Sequence, residues 1–400
     1  VTLERVVSGL PIDPGNVSRL LLAVSKNGNP KGPTAADWNY QAIDSKVLFG
    51  GIVELWADYP GFEADEEALY ITANMFAFPP FAGYGGMRLW IVDKGAGSGG
   101  FYDGGLSAVS VTNPYAGGGI ATTTMPAQVY GDGGVGGPGS TLGTFLVSYS
   151  GLTDGGIGGL EYLQVVAVDD PLGNVGGPYF SQEFVPVGDI EDVGGSLGFP
   201  ALPDAPQLGT SDLIEVNDRR LLDAVWRDDS LWCTTTVIPN LGVDMGETTA
   251  HWFQLDTQFG PGLIAWNDGG NIGGEDIAVG TTTFFPSVAV NRDGDALFGF
   301  SACAASIYAG AYVTGREAGD PLTTVQDTEV VKAGMDSYLR TFGGGRNRWG
   351  DYSGISIDPS NDDFAWVFNQ FADQRGTPTS GGEDGRWGTY WMRAKFKSRK

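Results

Sequence analysis

Trp56-Ala57-Asp58-Tyr59-Pro60-Gly61-Phe62, near the start of this 400-residue chain, is answered near its end by Trp349-Gly350-Asp351-Tyr352-Ser353-Gly354-Ile355. Each copy runs on through an acidic turn into an aromatic strand that ends Asn-x-Phe-Ala, at Asn74 to Ala77 and at Asn369 to Ala372. A third copy, Thr283-Phe284-Phe285-Pro286-Ser287-Val288-Ala289-Val290-Asn291 followed by Ala296 to Ser301, aligns without gaps to the last, Phe285 falling on Tyr352. A weaker fourth is Leu221 to Asp228 with Ser230 to Thr234. An order kept this often marks one supersecondary unit used repeatedly.

In each copy a strand-like run reaches an Asp or Asn (Asp65, Asp228, Asn291, Asp358), turns through acidic or Gly residues and returns, which is a hairpin signal. A third run of common shape follows, at Arg19 to Val24, Arg88 to Asp93, Tyr162 to Asp169, His251 to Asp256, Tyr308 to Val313 and Tyr390 to Phe396. Less regular fourth strands are expected at Trp38 to Ile43, Phe184 to Val187 and Thr324 to Val331. Three or four antiparallel strands per unit, about six units and no convincing helix predict an all-β chain, a β-propeller in which each unit is one blade. The expectation is a single domain over 1–400 with blades near 1–46, 54–122, 123–190, 218–268, 282–332 and 348–397. Val1 to Val7 reads as a second strand without its first, and the last unit stops after its third. Two closures fit: the amino-terminal strand completes the last of six blades, or upstream residues supply the rest of a seventh.

Forty-eight acidic against 23 basic residues give a net charge of −25, which argues against nucleic acid and anionic membranes as partners and fits a solvated exterior in a salty or cation-rich setting. No apolar run approaches a membrane span, and no charged leader with an apolar segment opens the chain. A secreted or cell-surface location is the expectation. The 64 glycines gather in runs such as Gly95 to Gly105, Gly117 to Gly119, Gly131 to Gly143 and Gly155 to Gly159, read as ordered loops using positive φ angles.

Cys233 and Cys303 fall on second strands of adjacent units. Sheets stack about 10 Å apart, whereas a disulfide needs Cα atoms roughly 4.4 to 6.8 Å apart, so two buried free thiols are predicted. His251, the sole histidine, sits inside an alternating strand and reads as a side chain on a blade face; no nucleophile elbow surrounds Ser148, Ser150 or Ser301. Gly95-Ala96-Gly97-Ser98-Gly99-Gly100 has dinucleotide-binding spacing, but Phe101-Tyr102-Asp103 is no helix start and cannot cradle a phosphate. Asn291-Arg292-Asp293-Gly294-Asp295 looks calcium-like, yet its Gly arrives too early for an EF-hand loop and the segment occupies a hairpin turn. No metal site and no cofactor are predicted, calcium being the one alternative. Asn16-Val17-Ser18 fits the glycosylation pattern.

In a propeller the first strand of each blade lines the central channel, so residues leading into it gather at one mouth. Trp56, Asp58, Tyr59, Trp349, Asp351 and Tyr352 would come from two blades, with Phe284 and Phe285 equivalent on a third. Arg346 and Arg348 precede one copy, and Arg316 ends a neighbouring strand. Rings for stacking sugars, carboxylates for acid and base work and arginines for an acidic substituent would make a glycan site, with Trp56, Trp349, Phe284, Phe285, Arg346 and Arg348 binding. The competing reading makes Trp-x-Asp-Tyr a packing signature, the Trp wedged between blades and the Asp bonded to backbone amides. Two further segments are candidate covers or docking loops: the apolar Phe76 to Gly86 and the Gly, Pro and Asp-rich Ile190 to Leu213.

The run Gly345 to Pro359 with Phe364 to Phe371, together with Thr283 to Ser301 and Trp56 to Ala77, resembles a family of exported bacterial proteins described as sialidase-like propellers of unknown activity. The resemblance covers most of the chain and implies a propeller and export; it brings no catalytic residues to transfer. Its members extend upstream of Val1, which favours the seven-bladed closure. The chain departs from true sialidases, whose Ser-x-Asp-x-Gly-x-x-Trp turns, arginine triad and Tyr-Glu pair cannot be matched, so sialidase activity is not expected. The leading functional expectation is an acidic module that binds a glycan or an extracellular protein through one face. Alternatives are a polysaccharide hydrolase or lyase using Asp58 and Asp351 with Tyr59 or Tyr352, and a structural subunit that self-assembles through Phe76 to Gly86.

Overall fold

Along the strand Trp38–Asp44 every second residue, Asn39, Gln41 and Ile43, is buried, the period expected of a strand with one covered face. Central strands differ: Ala68–Ala77 is buried along most of its length, and Thr282–Val290 and Ala296–Ala304 throughout. Both faces of those strands are covered, which is why their sequences run apolar without clean alternation.

The computed structural model describes residues 1–115, 123–130, 142–149, 160–191, 201–257, 263–341, 345–379 and 382–395. Among them the chain is all-β, its one helical element the 3-10 turn Phe101–Asp103. The glycine run before that turn therefore opens on three residues rather than on an α-helix. The loops at 117–119 and 155–159, most of 131–143, Ser150, Phe396 and part of 190–213 lie outside the described residues.

The chain forms two compact units, Val1–Ser148 with Val165–Glu183 and Tyr149–Gln164 with Phe184–Lys400. In the first, Thr2–Val6, Val17–Ser25 and Trp38–Asp44 make a three-stranded antiparallel meander. Val47–Phe49, Val53–Ala64, Ala68–Ala77, Tyr84–Asp93 and Val109–Thr112 make a five-stranded one. Thr124–Pro126 pairs with Leu142–Ser148. In the second unit, Asp223–Arg227, Ser230–Val237, Thr249–Asp256 and Ala265–Ile272 are neighbours in sequence order. So are Thr282–Val290, Ala296–Ala304, Ile307–Arg316 and Glu329–Lys332, and then Gly354–Ile357, Phe364–Gln374 and Arg386–Lys395.

The turns work through the side chains the repeat singles out. Asp65 Oδ1 accepts the backbone N–H of Glu67 at 2.8 Å and of Ala68 at 2.7 Å. Asn291 Oδ1 accepts those of Asp293 and Asp295, both at 2.9 Å, and Asp358 Oδ1 that of Ser360 at 2.9 Å. A short side chain bonding the backbone two residues on stabilises a turn without a metal. The calcium-like segment is thus a hairpin turn, and among the described residues no group of three or more His, Cys, Asp or Glu is placed to hold a metal ion. At the fourth hairpin Arg227 pairs with Ser230 across Asp228 and Asp229, whose φ angles of 47° and 61° define a two-residue turn of the type that matches strand twist.

Each unit has its own apolar core. Leu20, Leu22, Leu55, Ile71, Trp90 and Phe101 are central to one cluster of the first unit. In the second unit Leu202, Ala205, Ile214, Phe284, Phe285, Cys303, Tyr338 and Trp349 pack together. The described part of the Ile190 to Leu213 segment therefore enters that core, and Ala205 and Ile214 exchange backbone hydrogen bonds of 2.8 Å. Cys233 and Cys303 are free and buried, and burial pushes both thiols up.

Candidate binding surface

In its first and third copies the repeated phrase encodes a β-bulge. Asp58 pairs with Asn74, and the next pair is Gly61 with Thr72; Phe284 pairs with Ser301, and the next is Ser287 with Gly299. Three steps on one strand against two on the other leave one extra residue, and Tyr59 (φ 52°) and Phe285 (φ 51°) take the left-handed conformation there. Gly61 is needed because a Cβ would lie 2.5 Å from Thr72 Oγ1 and 2.7 Å from Pro126 Cδ. The third and last copies are tied at the bulge: Ser353 Oγ donates to Phe285 O at 2.6 Å, and Trp349 Nε1 donates to Ser301 Oγ at 3.1 Å.

In the first unit Trp56 is half-buried. Its indole N–H donates to Ala77 O at 3.2 Å, its ring lies 5.7 Å from that of Phe76, and the Arg5 guanidinium covers it at 3.9 Å. Asp58 and Tyr59 are half-buried beside it. In the second unit Trp349, Phe284 and Phe285 belong to the core and present no face to solvent; Trp349 meets Tyr338 edge to face at 5.0 Å. The arginines and polar partners of that copy are at the surface. Arg346 grips Glu215 with two hydrogen bonds, one of 2.7 Å. Arg348 pairs with Asp351, whose Oδ1 also accepts Asn217 Nδ2 at 3.4 Å. The hydrogen bond to Glu215, with the charges of Glu215, Asp351 and Asp204, holds the Arg346 guanidinium above its ordinary value. Arg316 stands apart from this surface, buried against Asp268 at 3.0 Å and over the Trp252 ring at 4.8 Å.

Tyr352 is 44% exposed and precedes the last sheet, one face of which carries exposed rings of its own. One cross-strand row of that face is Gly354, Phe368 and Trp391, and the next is Ser356, Trp366 and Arg393. Phe368 is 51% and Trp391 62% exposed, and no atom comes within 4 Å of a Cβ built on Gly354, so the row is open at that end. The rings are held in place: Trp391 lies 5.1 Å from Trp366, whose Nε1 donates to Asp358 Oδ2 at 3.2 Å, and Arg393 pairs with the same oxygen at 3.0 Å. Exposed rings with fixed polar groups at the margin can stack on a sugar face while hydrogen-bonding its hydroxyls.

Sequence reasoning placed Tyr352, Arg346 and Arg348 at the surface and missed Phe368 and Trp391. For Phe368 the alternation with buried Val367 and Asn369 was the available signal; Trp391, next to exposed Tyr390, had none. It also missed a buried network in the second unit, where Tyr149 Oη donates to Glu191 Oε1 at 2.6 Å and Arg219 Nε donates to Oε2 at 2.7 Å. Burial outweighs Arg219 and holds the Glu191 carboxyl above its ordinary range. The Phe76 to Gly86 segment divides: Phe78 is fully buried, while Phe81 and Tyr84 are exposed. Asn16 is buried with its amide donating to Leu10 O at 2.8 Å and Glu54 Oε2 at 2.9 Å, so the glycosylation pattern is spent on packing in the folded chain.

No protein-family profile and no curated protein matches the chain. Among solved structures it is similar to a protein of unknown function from Dyadobacter fermentans DSM 18053, at 11% identity and a TM-score of 0.40 over 80% of this chain and 76% of that one. A glycoside hydrolase is similar at 9% identity and a TM-score of 0.34, over 86% and 88% of the two chains. A mutant Trypanosoma rangeli sialidase displaying trans-sialidase activity follows at 9% identity and 0.33, over 98% of this chain and 53% of its own. These are loose likenesses, and the all-β fold stands on the strands of this chain.

Proposed function

We propose that the meander sheets are blades of a β-propeller, and that the protein is a secreted or cell-surface glycan-binding module. The observation that carries the reading is the cross-strand pair of exposed rings Phe368 and Trp391, with Arg393 and Asp358 beside them; Tyr352, also exposed, precedes the same sheet. Rings this exposed contribute little to packing, and a sugar ring laid on them removes apolar area from water at about 25 cal/mol per Å². The chain's negative charge favours neutral glycans over acidic ones, except where Arg346 and Arg348 can exchange their carboxylate partners for a ligand's. The test is retention on affinity gels containing a panel of neutral and acidic polysaccharides, comparing the wild type with Trp391→Ala and Phe368→Ala. Retention lost in both variants at unchanged thermal stability supports the reading; wild-type migration unaffected by every polysaccharide overturns it.

Assembly is the second reading, favoured by the exposed rings of Phe81 and Tyr84 in the first unit. Sedimentation velocity decides it: concentration-dependent association that Phe81→Ser abolishes would make the protein a structural subunit.

A further inference from the structure

The pairing of Val17–Ser25 with Trp38–Asp44 continues beyond its last strand pair, Arg19 with Asp44. Ser45 N–H donates to Ser18 O at 2.9 Å, and the hydroxyls of Ser18 and Ser45 meet at 2.8 Å. That ladder carries Asn16 and Lys46, 30 residues apart in the chain, side by side, and Lys46 Nζ donates to Asn16 O at 3.2 Å. Both residues reach the carboxylate of Glu54 on the strand Val53–Ala64. Lys46 Nζ lies 2.9 Å from Oε1, and Asn16 Nδ2 donates to Oε2 at 2.9 Å. All three residues belong to the first unit.

The Asn16 amide is fixed at both of its polar atoms. Nδ2 also donates to Leu10 O at 2.8 Å, and Oδ1 accepts from the backbone N–H and the hydroxyl of Ser8, both at 3.0 Å. Asn16 and Glu54 are buried, and the Lys46 side chain is 21% exposed. Together these groups supply the parts of an amide exchange. They are an amine nucleophile, a carboxylate that touches both nitrogens and can carry a proton between them, and a carbonyl whose oxygen faces two donors where charge would develop.

We propose that Lys46 Nζ and Asn16 Cγ join in an amide bond, a covalent staple across the open end of the strand pair. The Lys46 ammonium passes a proton to Glu54, and the free amine attacks Cγ, whose oxygen gathers charge between the donors of Ser8. Glu54 returns the proton to Nδ2, the Cγ–Nδ2 bond breaks, and the departing ammonia takes the surplus proton of the new amide nitrogen with it as ammonium. One carboxamide is exchanged for another, Glu54 ends ionised as it began, and no other reactant is consumed. Lys46 already touches residue 16 at its main-chain oxygen, so the side-chain carbonyl of that residue is within reach of the lysine's flexible four-carbon stem.

Against burial, which pushes it up, hydrogen bonds from Asn16, Lys46 and the Asp13 N–H hold the Glu54 carboxyl below its ordinary value. The charged pair is therefore the resting form, and the bond forms slowly after folding. Once formed, it would constrain the unfolded chain as a disulfide does, in a protein whose two cysteines are free.

Intact-mass spectrometry of the full chain reads the exchange as the loss of one ammonia, on protein denatured after incubation at pH 8, where more of the lysine is deprotonated than at neutrality. Wild type is expected to lose that mass and to yield, after trypsin, a branched peptide joining the Asn16 and Lys46 segments. Lys46→Arg and Glu54→Gln should keep the full mass. Lys46→Arg retains a cation beside Glu54 and keeps the test decisive should Glu54→Gln fail to fold. The exposed Asn27 and Gly28 can also lose ammonia, by attack of the Gly28 nitrogen on the Asn27 side chain, but the product is a linear peptide without Lys46. The proposal is overturned if folded wild type keeps its full mass, if the loss maps to Asn27 alone, or if it persists in Lys46→Arg.

Discussion

Trp349 and Trp391 show how one residue type divides between packing and exposure. Trp349 fills the core of the second unit and bonds Ser301, so Trp349→Ala should cost about 3–5 kcal/mol of stability, read as a lowered urea midpoint. Trp391→Ala removes an exposed ring and should leave that midpoint within about 0.5 kcal/mol of wild type. Buried ion pairs behave differently from either. Arg219 and Glu191 are both nearly inaccessible, and Arg219→Met leaves a carboxylate without its countercharge. That substitution should cost about 3–5 kcal/mol, whereas replacing both partners by apolar residues of similar size should cost much less, a double-mutant comparison by chemical denaturation.

At the scale of strands and turns, much of the fold was legible because its causes are local. Asp65, Asn291 and Asp358 were recognisable as turn residues since each bonds backbone only two to four positions on. The pair Asp228 and Asp229 sits in a turn demanding positive φ twice, and Asp229→Gly should stabilise that hairpin by about 1 kcal/mol, measured as a rise in melting temperature. The repeat was visible but the bulge it forms in the copies at Tyr59 and Phe285 was not, because the extra residue is defined by the partner strand. Which copy keeps its rings exposed was hidden for the same reason. Phe284 and Phe368 both lie on aromatic strands, and only the covering of each face makes one core and the other surface.

For the molecule as a whole, the carboxyls set the response to pH. Burial pushes Glu161, Asp223 and Asp244 up to about 7. A folded state that binds protons more tightly than the unfolded chain gains stability at low pH, present in full below about 4 and lost as pH rises through 7. His251 opposes them, costing stability as pH falls from its ordinary 6.5 toward 4. Glu54, Asp170 and Asp358 are held below their ordinary values by hydrogen bonds, Glu54 and Asp358 also by nearby cations, and their contribution disappears in strong acid. The raised carboxyls, Glu191 among them, outnumber the one imidazole and place the optimum between about pH 4 and 6. Urea midpoints should therefore be higher at pH 5.5 than at pH 8, and Asp223→Asn should flatten the difference.

The strand Arg386–Lys395 ends its sheet, with a row of backbone donors and acceptors facing outward among the described residues. Such a margin invites a strand from another molecule to pair with it. In a chain short of cations this strand holds Arg386, Arg393 and Lys395, and like charges meeting edge to edge repel. The same strand that offers Trp391 to a ligand thus carries its own guard against fibril growth, and neutralising those three side chains would trade solubility for self-templating.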